Sequence, residues 1–242
     1  MTANHRARSL AISAVLCLVS LLGNPHLMSI SSAVAAEPPA EWDGLARVKS
    51  KRLANLYILP GAKFSAYKRI RLDPVEVAFD KNWRPNDSAV GPSEWLTKDD
   101  LERIKSTLAS EFRKVFSEEL ARSGYSLVDE NAEDVLRVSA AIINLYVTAP
   151  DKPTAGRSRT YVTDSGHMTL VAELRDSPTG QLLARAVDSV QGRQTGRLQW
   201  SSSVANIGDA REALTKWANI LRTGLDDAKS HSATESQATA TN

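Results

Sequence analysis

Cysteine is almost missing from this chain. Its 242 residues include one, Cys17, inside the leading apolar segment. If that segment is removed, disulfides, thiolate nucleophiles and cysteine–metal sites go with it. Histidine is scarce as well. Of four histidines, only His167 and His231 follow the leader. They do not stand at a metal-ligand spacing, so no metal site is expected. Three patterns are also missing: the phosphate-cradling Gly-x-x-x-x-Gly-Lys, the dinucleotide glycine fingerprint and the Gly-x-Ser-x-Gly nucleophile turn. No cofactor is expected. An excess of one charge is lacking too. There are 30 basic and 28 acidic residues, and removing Arg6 and Arg8 with the leader leaves 28 of each. Nucleic-acid binding needs a basic surplus to neutralise phosphates, and none remains. Past residue 36 no long apolar run occurs, so no transmembrane segment is expected in the mature chain.

What is present starts at the N-terminus. Arg6 and Arg8 precede a continuous apolar or small-residue run, Leu10 to Leu22. Ala33-Val34-Ala35-Ala36 then offers small residues just before Glu37. That order predicts a secretory signal peptide cut at Ala35 and Ala36. The run is roughly 13 residues, against the roughly 20 a spanning helix needs. Arg6-Ala-Arg8 is not a twin-arginine pair, so export of an already folded protein is not indicated. The expectation is a periplasmic protein beginning at Glu37. The alternative is a lipid anchor on Cys17, although Leu16 before it is not the small residue that lipidation requires.

Composition and pattern predict an α+β fold. About 200 mature residues suffice to bury roughly 70% of the unfolded surface in one core. Trp42, Leu45 and Val48 suggest a short helix over 40–52. Asn55 to Leu59 reads as a strand, and Phe64 to Phe79 as a strand region interrupted at Pro74. Thr97 stands three residues before Asp100, as a helix cap would. Leu101, Ile104, Leu108, Phe112, Val115 and Leu120 then recur at helical spacing, and Gly124 ends the run. Val135 to Val147 suits a central strand buried on both faces. His167 to Arg175 alternates, Asp176 to Gly180 is a turn, and Leu182 to Val190 returns as a hairpin. A last helix is expected over 206–228. The prediction is a mixed or antiparallel sheet of about four to five strands with two long helices packed on one face. The expected organisation is a signal peptide over 1–36, a single α+β domain over 37–230 and a disordered tail over 231–242.

Three stretches carry a resemblance. They are Tyr57-Ile-Leu-Pro-Gly-Ala62, then Ser65-Ala-Tyr67-Lys-Arg-Ile70 followed by Leu72-Asp-Pro-Val-Glu-Val77, and Glu173-Leu-Arg-Asp-Ser-Pro-Thr-Gly180. Asp188, Gly192 and Trp217 follow at matching spacing. Over roughly residues 45 to 226 the chain resembles a bacterial envelope family known as domain-of-unknown-function family 3313, whose members are often described as lipoproteins. The resemblance implies an envelope location. It implies no catalytic residue, because the family has none established.

Chemistry-bearing groups are few. His167 with Asp164 or Ser165 is the basis for one reading, a periplasmic hydrolase or glycan-modifying enzyme. Asp99-Asp100, Glu118-Glu119 and Asp226-Asp227 sit on helices, where adjacent residues point about 100° apart and cannot face each other across a cleft. Tyr57, Tyr67, Arg69, Arg71, Trp83 and Arg84 make a candidate interaction surface, since tyrosine, tryptophan and arginine anchor protein interfaces. The 149–166 segment reads as a long loop with Lys152, Arg157 and Arg159. The leading reading is a non-enzymatic periplasmic accessory protein that binds an unidentified envelope protein or glycan. A ligand held between sheet and helices is a third reading, and would need an apolar cavity.

Overall fold

The computed structural model describes residues 37–87, 92, 95–147, 160–162, 166–191, 199–201 and 203–240. The leader, its cleavage site and Cys17 lie outside them, as do Asp164, Ser165 and most of the 149–166 segment. Pro38–Asn242 is one compact unit. In chain order its strands are β1 (Glu41–Trp42), β2 (Leu45–Val48), β3 (Asn55–Ile58), β4 (Arg69–Leu72), β5 (Glu76–Phe79), β6 (Ser126–Leu127), β7 (Val135–Tyr146), β8 (Thr160–Val162), β9 (His167–Asp176), β10 (Leu182–Gln191) and β11 (Gln199–Ser201). The helices are α1 (Lys98–Ala121) and α2 (Ser203–Ala240).

The fold is α+β, but its main sheet is larger than the four to five strands expected. Nine strands join, in the order β1-β2-β3-β10-β9-β7-β4-β6, with β5 also on β7. The sheet is mixed. β4 and β5 run parallel to β7, and β6 runs parallel to β4. β9 and β10 pair antiparallel to their neighbours. β4 and β5 are two pieces of one line beside β7, with β6 outside β4. Pro74 lies between them and has no N–H to give to a ladder, which explains the gap. β8 and β11 form a separate antiparallel pair, so the segment read as a loop contains a short strand.

The expected helix over 40–52 is a hairpin instead. Trp42 pairs with Leu45, leaving Asp43 and Gly44 as the turn, with φ of 53° and 78°. A two-residue turn matching strand twist needs both φ positive, and Asp-Gly suits it. Apolar residues every third position imitated a helix face, and the turn dipeptide overrides that spacing.

α1 begins as its sequence predicts. The Thr97 hydroxyl accepts from Asp100 N–H at 3.2 Å, and the Asp100 carboxylate accepts from Thr97 N–H at 2.9 Å. This reciprocal cap satisfies two end groups and leaves a carboxylate at the positive end of the helix dipole. α2 is longer than its apolar stripe. Its backbone stays helical to Ala240, across most of the stretch expected as a disordered tail. That stretch contains no proline or glycine to break the helix.

Both helices cover one sheet face. Phe112, Phe116 and Leu120 of α1 and Leu214, Trp217 and Leu225 of α2 join Ile70, Leu136, Val138, Ile142 and Leu170 in one core cluster. Phe112 and Phe116 stack with centroids 4.0 Å apart. β7 is buried on this face and only partly on the other, so the expected burial on both faces is corrected to one. Near its end β7 changes phase. Asn144 adopts φ 52°, and the register with β9 shifts between Ile143 and Tyr146. Leu145 thereby regains the core, at 7% exposure. A residue in the left-handed region is how a strand absorbs an extra position, and asparagine tolerates it better than most. Gly166 packs across this bulge, where a Cβ would lie 1.9 Å from the Tyr146 carbonyl oxygen. Only glycine fits there.

Candidate interaction surface

Alternation along each strand decides which groups reach the open face. Ile70 and Leu72 of β4 enter the core, so Arg69 and Arg71 point away from the helices. Leu136, Val138 and Ala140 do the same on β7, sending Arg137 and Ser139 outward. Leu170, Ala172 and Leu174 do so on β9, sending Glu173 and Arg175 outward. Register then aligns these groups across strands. Arg71 lies beside Arg137, and Arg137 beside Arg175. Three arginines stand abreast, on strands about 4.8 Å apart.

Like charges directly opposite repel unless neutralised. Here acids interleave them. Asp73 Oδ2 accepts from Arg137 Nε at 2.7 Å and from Ser139 Oγ at 2.5 Å. Its Oδ1 lies 3.4 Å from Arg71 Nε. Arg71 Nη1 donates to Asn131 Oδ1 at 2.7 Å. Glu173 bridges Arg175 and Arg185, at 2.6 and 2.8 Å. Arg185 also reaches Asp43 at 2.7 Å and sits 4.2 Å from the Trp42 ring centre. Burial opposes the charge on Glu173, but hydrogen bonds from Arg185 and then Arg175 outweigh it and hold its carboxyl below the ordinary range. The hydrogen bond from Arg69 leads in holding Asp134 low in the same way. Arg137 differs from its neighbours. Only its Nε is engaged, on Asp73, and both terminal nitrogens are without partners among the described residues.

The six candidate residues from the sequence divide. Arg69 and Arg71 lie on this face. Arg69 is held by Asp134 and Glu130 at 2.6 and 2.5 Å. Tyr57 faces the same side by register with Arg185. It is 1% exposed, however, with Trp42 edge-on at 5.7 Å and its hydroxyl donating to Pro39 O. Tyr67 is 8% exposed and belongs to the core cluster. Its hydroxyl donates to Asp176 Oδ1 at 2.9 Å. Burial first, then Asp176, pushes its pKa up to about 12. Trp83 is 7% exposed, stacks on Phe79 at 4.4 Å and donates to Val147 O. Arg84 is exposed and donates to the Lys81 and Trp83 carbonyls. These last two lie far from the arginine row. Arg69 pairs with Val135 and Trp83 contacts Val147, positions separated by roughly 40 Å of strand.

Arg137, Arg175 and Arg185 are absent from the sequence candidates. The signal for Arg137 is the polar alternation Arg137-Val138-Ser139, hidden in a run that reads as apolar, and that for Arg175 is the alternation of 167–175, which places it with Glu173 on the polar face. His167 is half-buried, and its ring stacks on Tyr146 at 5.1 Å. No carboxylate hydrogen-bonds to it among the described residues. No cluster of three or more metal-ligating side chains occurs among them either, and no helix among them is long and apolar enough to cross a membrane. On the inner face, Asp188 and Trp217 meet. Trp217 Nε1 donates to Asp188 Oδ2 at 2.8 Å and Ala54 N–H donates to Oδ1 at 2.9 Å, tying α2 to β10 and to the start of β3.

A family model described as protein of unknown function, DUF3313, matches residues 36–221. No curated protein matches the chain. Among solved structures the chain is similar to a DUF330 protein from Xanthomonas campestris, at 13% identity and TM-score 0.40, covering 69% of this chain and 89% of that one. It is also similar to PelC from Paraburkholderia phytofirmans, a dodecamer, at 12% identity and TM-score 0.32, covering 72% and 96%. A minor lipoprotein from Acinetobacter baumannii matches at 12% identity and TM-score 0.28, covering 65% and 91%.

Proposed function

The chain belongs to the DUF3313 family, and on that footing we propose that it is a non-enzymatic periplasmic accessory protein of the cell envelope. It binds another envelope protein through the Arg71–Arg137–Arg175 row. One observation carries this reading. The guanidinium of Arg137 lies on a sheet face that the helices leave open, with two terminal nitrogens that have no partner among the described residues. A planar fork of that kind suits a carboxylate taken in two parallel hydrogen bonds. The partner therefore presents acidic side chains. The signal-like leader supports the periplasmic location, and the mass of the mature N-terminal peptide separates a product starting at Glu37 from one starting at Cys17.

A photo-crosslinking residue placed at Ser139, beside Arg137, tests the surface in intact envelopes. We expect one dominant adduct whose crosslinked peptide contains Asp or Glu. Arg137→Glu should abolish it, while Lys81→Glu, remote from the row, should leave it unchanged. Identical adducts in both variants would rule out the arginine row as the contact.

A further inference from the structure

On the helical side of the molecule, away from the arginine row, a pocket of about 620 Å³ opens between the end of α1, the middle of α2 and the turn before β3. That volume falls within the range of small-ligand sites. Four cations line it: Lys51, Arg52, Arg122 and Lys216. Two have carboxylate partners. Arg122 Nη1 lies 2.8 Å from Oε1 of Glu119, itself a buried wall residue, and Lys216 Nζ lies 3.1 Å from Asp188 Oδ2. The other two have none among the described residues. Arg52 Nη1 donates to the neutral hydroxyl of Thr223 at 2.8 Å. Lys51 is exposed and engages no described residue.

We propose that this pocket binds a phosphate monoester. Two cations without carboxylate partners among the described residues line one open site, and a phosphate monoester carries about −1.5 to −2 charge at neutral pH. The charges match. The volume exceeds what a bare phosphate fills, so the remaining space takes the group that carries the phosphate. Glu119 acts as a positioning residue. Its Oε1 holds the Arg122 guanidinium at the wall, while its Oε2 has no hydrogen bond and faces Arg222 Nε at 3.5 Å.

Calorimetric titration of the folded mature protein tests this with three probes: inorganic phosphate, glucose 6-phosphate and vesicles containing phosphatidic acid. Saturable binding of glucose 6-phosphate or of the vesicles, at least tenfold tighter than inorganic phosphate, supports the site. The tighter of the two names the carrier, sugar or lipid. Affinity should rise as pH increases through about 6, where the second phosphate proton leaves. Lys51→Gln removes an exposed, unpartnered side chain and should not disturb folding. Together with Arg52→Gln it should weaken binding at least tenfold, whereas Arg137→Gln on the opposite face should not. No saturable binding, or equal binding by the Lys51/Arg52 double variant, overturns the proposal without touching the partner surface. Loss of the crosslinked partner in Arg137→Glu leaves this pocket unaffected.

Discussion

The two faces of the sheet use the same strands and opposite chemistry. Toward the helices, Ile70, Leu136 and Val138 are fully or nearly fully buried among aromatic and aliphatic side chains. Away from them, Arg69, Arg71, Arg137, Arg175 and Arg185 are held by Asp43, Asp73, Asp134 and Glu173. The inner face is stabilised by removal of apolar area from water, at about 25 cal/mol per Å². The outer face gains little from each ion pair, because solvent screens partly exposed charges to about 1 kcal/mol or less. Most of the stability therefore resides on one side of the sheet, with Tyr57 and Arg185 the buried exceptions on the other. The other side holds a charged pattern that can change without unfolding the protein, which is the property an interaction surface needs.

Asp188 breaks the division, since it is a carboxylate on the apolar side. Among substitutions of charged residues on the two faces, Asp188→Ala should have the largest effect. It leaves the buried Trp217 indole N–H without an acceptor and removes the partly buried bond from Ala54 N–H, which together costs about 3 kcal/mol. Urea denaturation should report that loss, and Asp188→Asn, which keeps one acceptor oxygen, should recover part of it. On the open face, Asp73 is well covered but its partners Arg71 and Arg137 remain partly exposed to water, so Asp73→Ala should cost less, about 1–2 kcal/mol. Equal losses at both positions would dissolve the contrast between the faces.

A smaller effect is confined to alkaline pH. Tyr67 has its pKa raised from 10.0 to about 12. Because the folded value lies above the unfolded one, its contribution is complete below pH 10 and is lost as pH rises toward 12. Tyr125 is raised to about 12 as well, by burial first and then by Asp226. Tyr67→Phe should therefore flatten, not abolish, the fall of the urea midpoint between pH 10 and 12. An unchanged slope would mean that neither the burial of the Tyr67 hydroxyl nor its bond to Asp176 couples to folding.

Local chemistry made much of this fold readable from sequence. The cap formed by Thr97 and Asp100, the break at Pro74 and the Asp176–Gly180 turn each depend on groups within a few residues of one another. What could not be read depends on pairings between distant segments. Tyr57, Tyr67 and Trp83 cluster in sequence with arginines, yet each is buried, because its strand or loop turns it against a different neighbour. The arginine row forms only when β4, β7 and β9 come into register, so Arg71, Arg137 and Arg175 gave no joint signal along the chain. Tyr125 to Val128 reads as a strand restarting after the helix, and Ser126–Leu127 forms one; other extra strands came from short pieces, such as Glu41–Trp42, that show no strand periodicity of their own.

Asn144 has a consequence for comparing this strand with others. Before it, odd-numbered residues such as Arg137 look outward. After it, Leu145 looks inward and Tyr146 outward. Parity reverses within a single strand. An alignment that slides β7 onto a relative's strand without adding or dropping a position at Asn144 will assign every later residue to the wrong side, and will mistake the ring stacked on His167 for part of the interior.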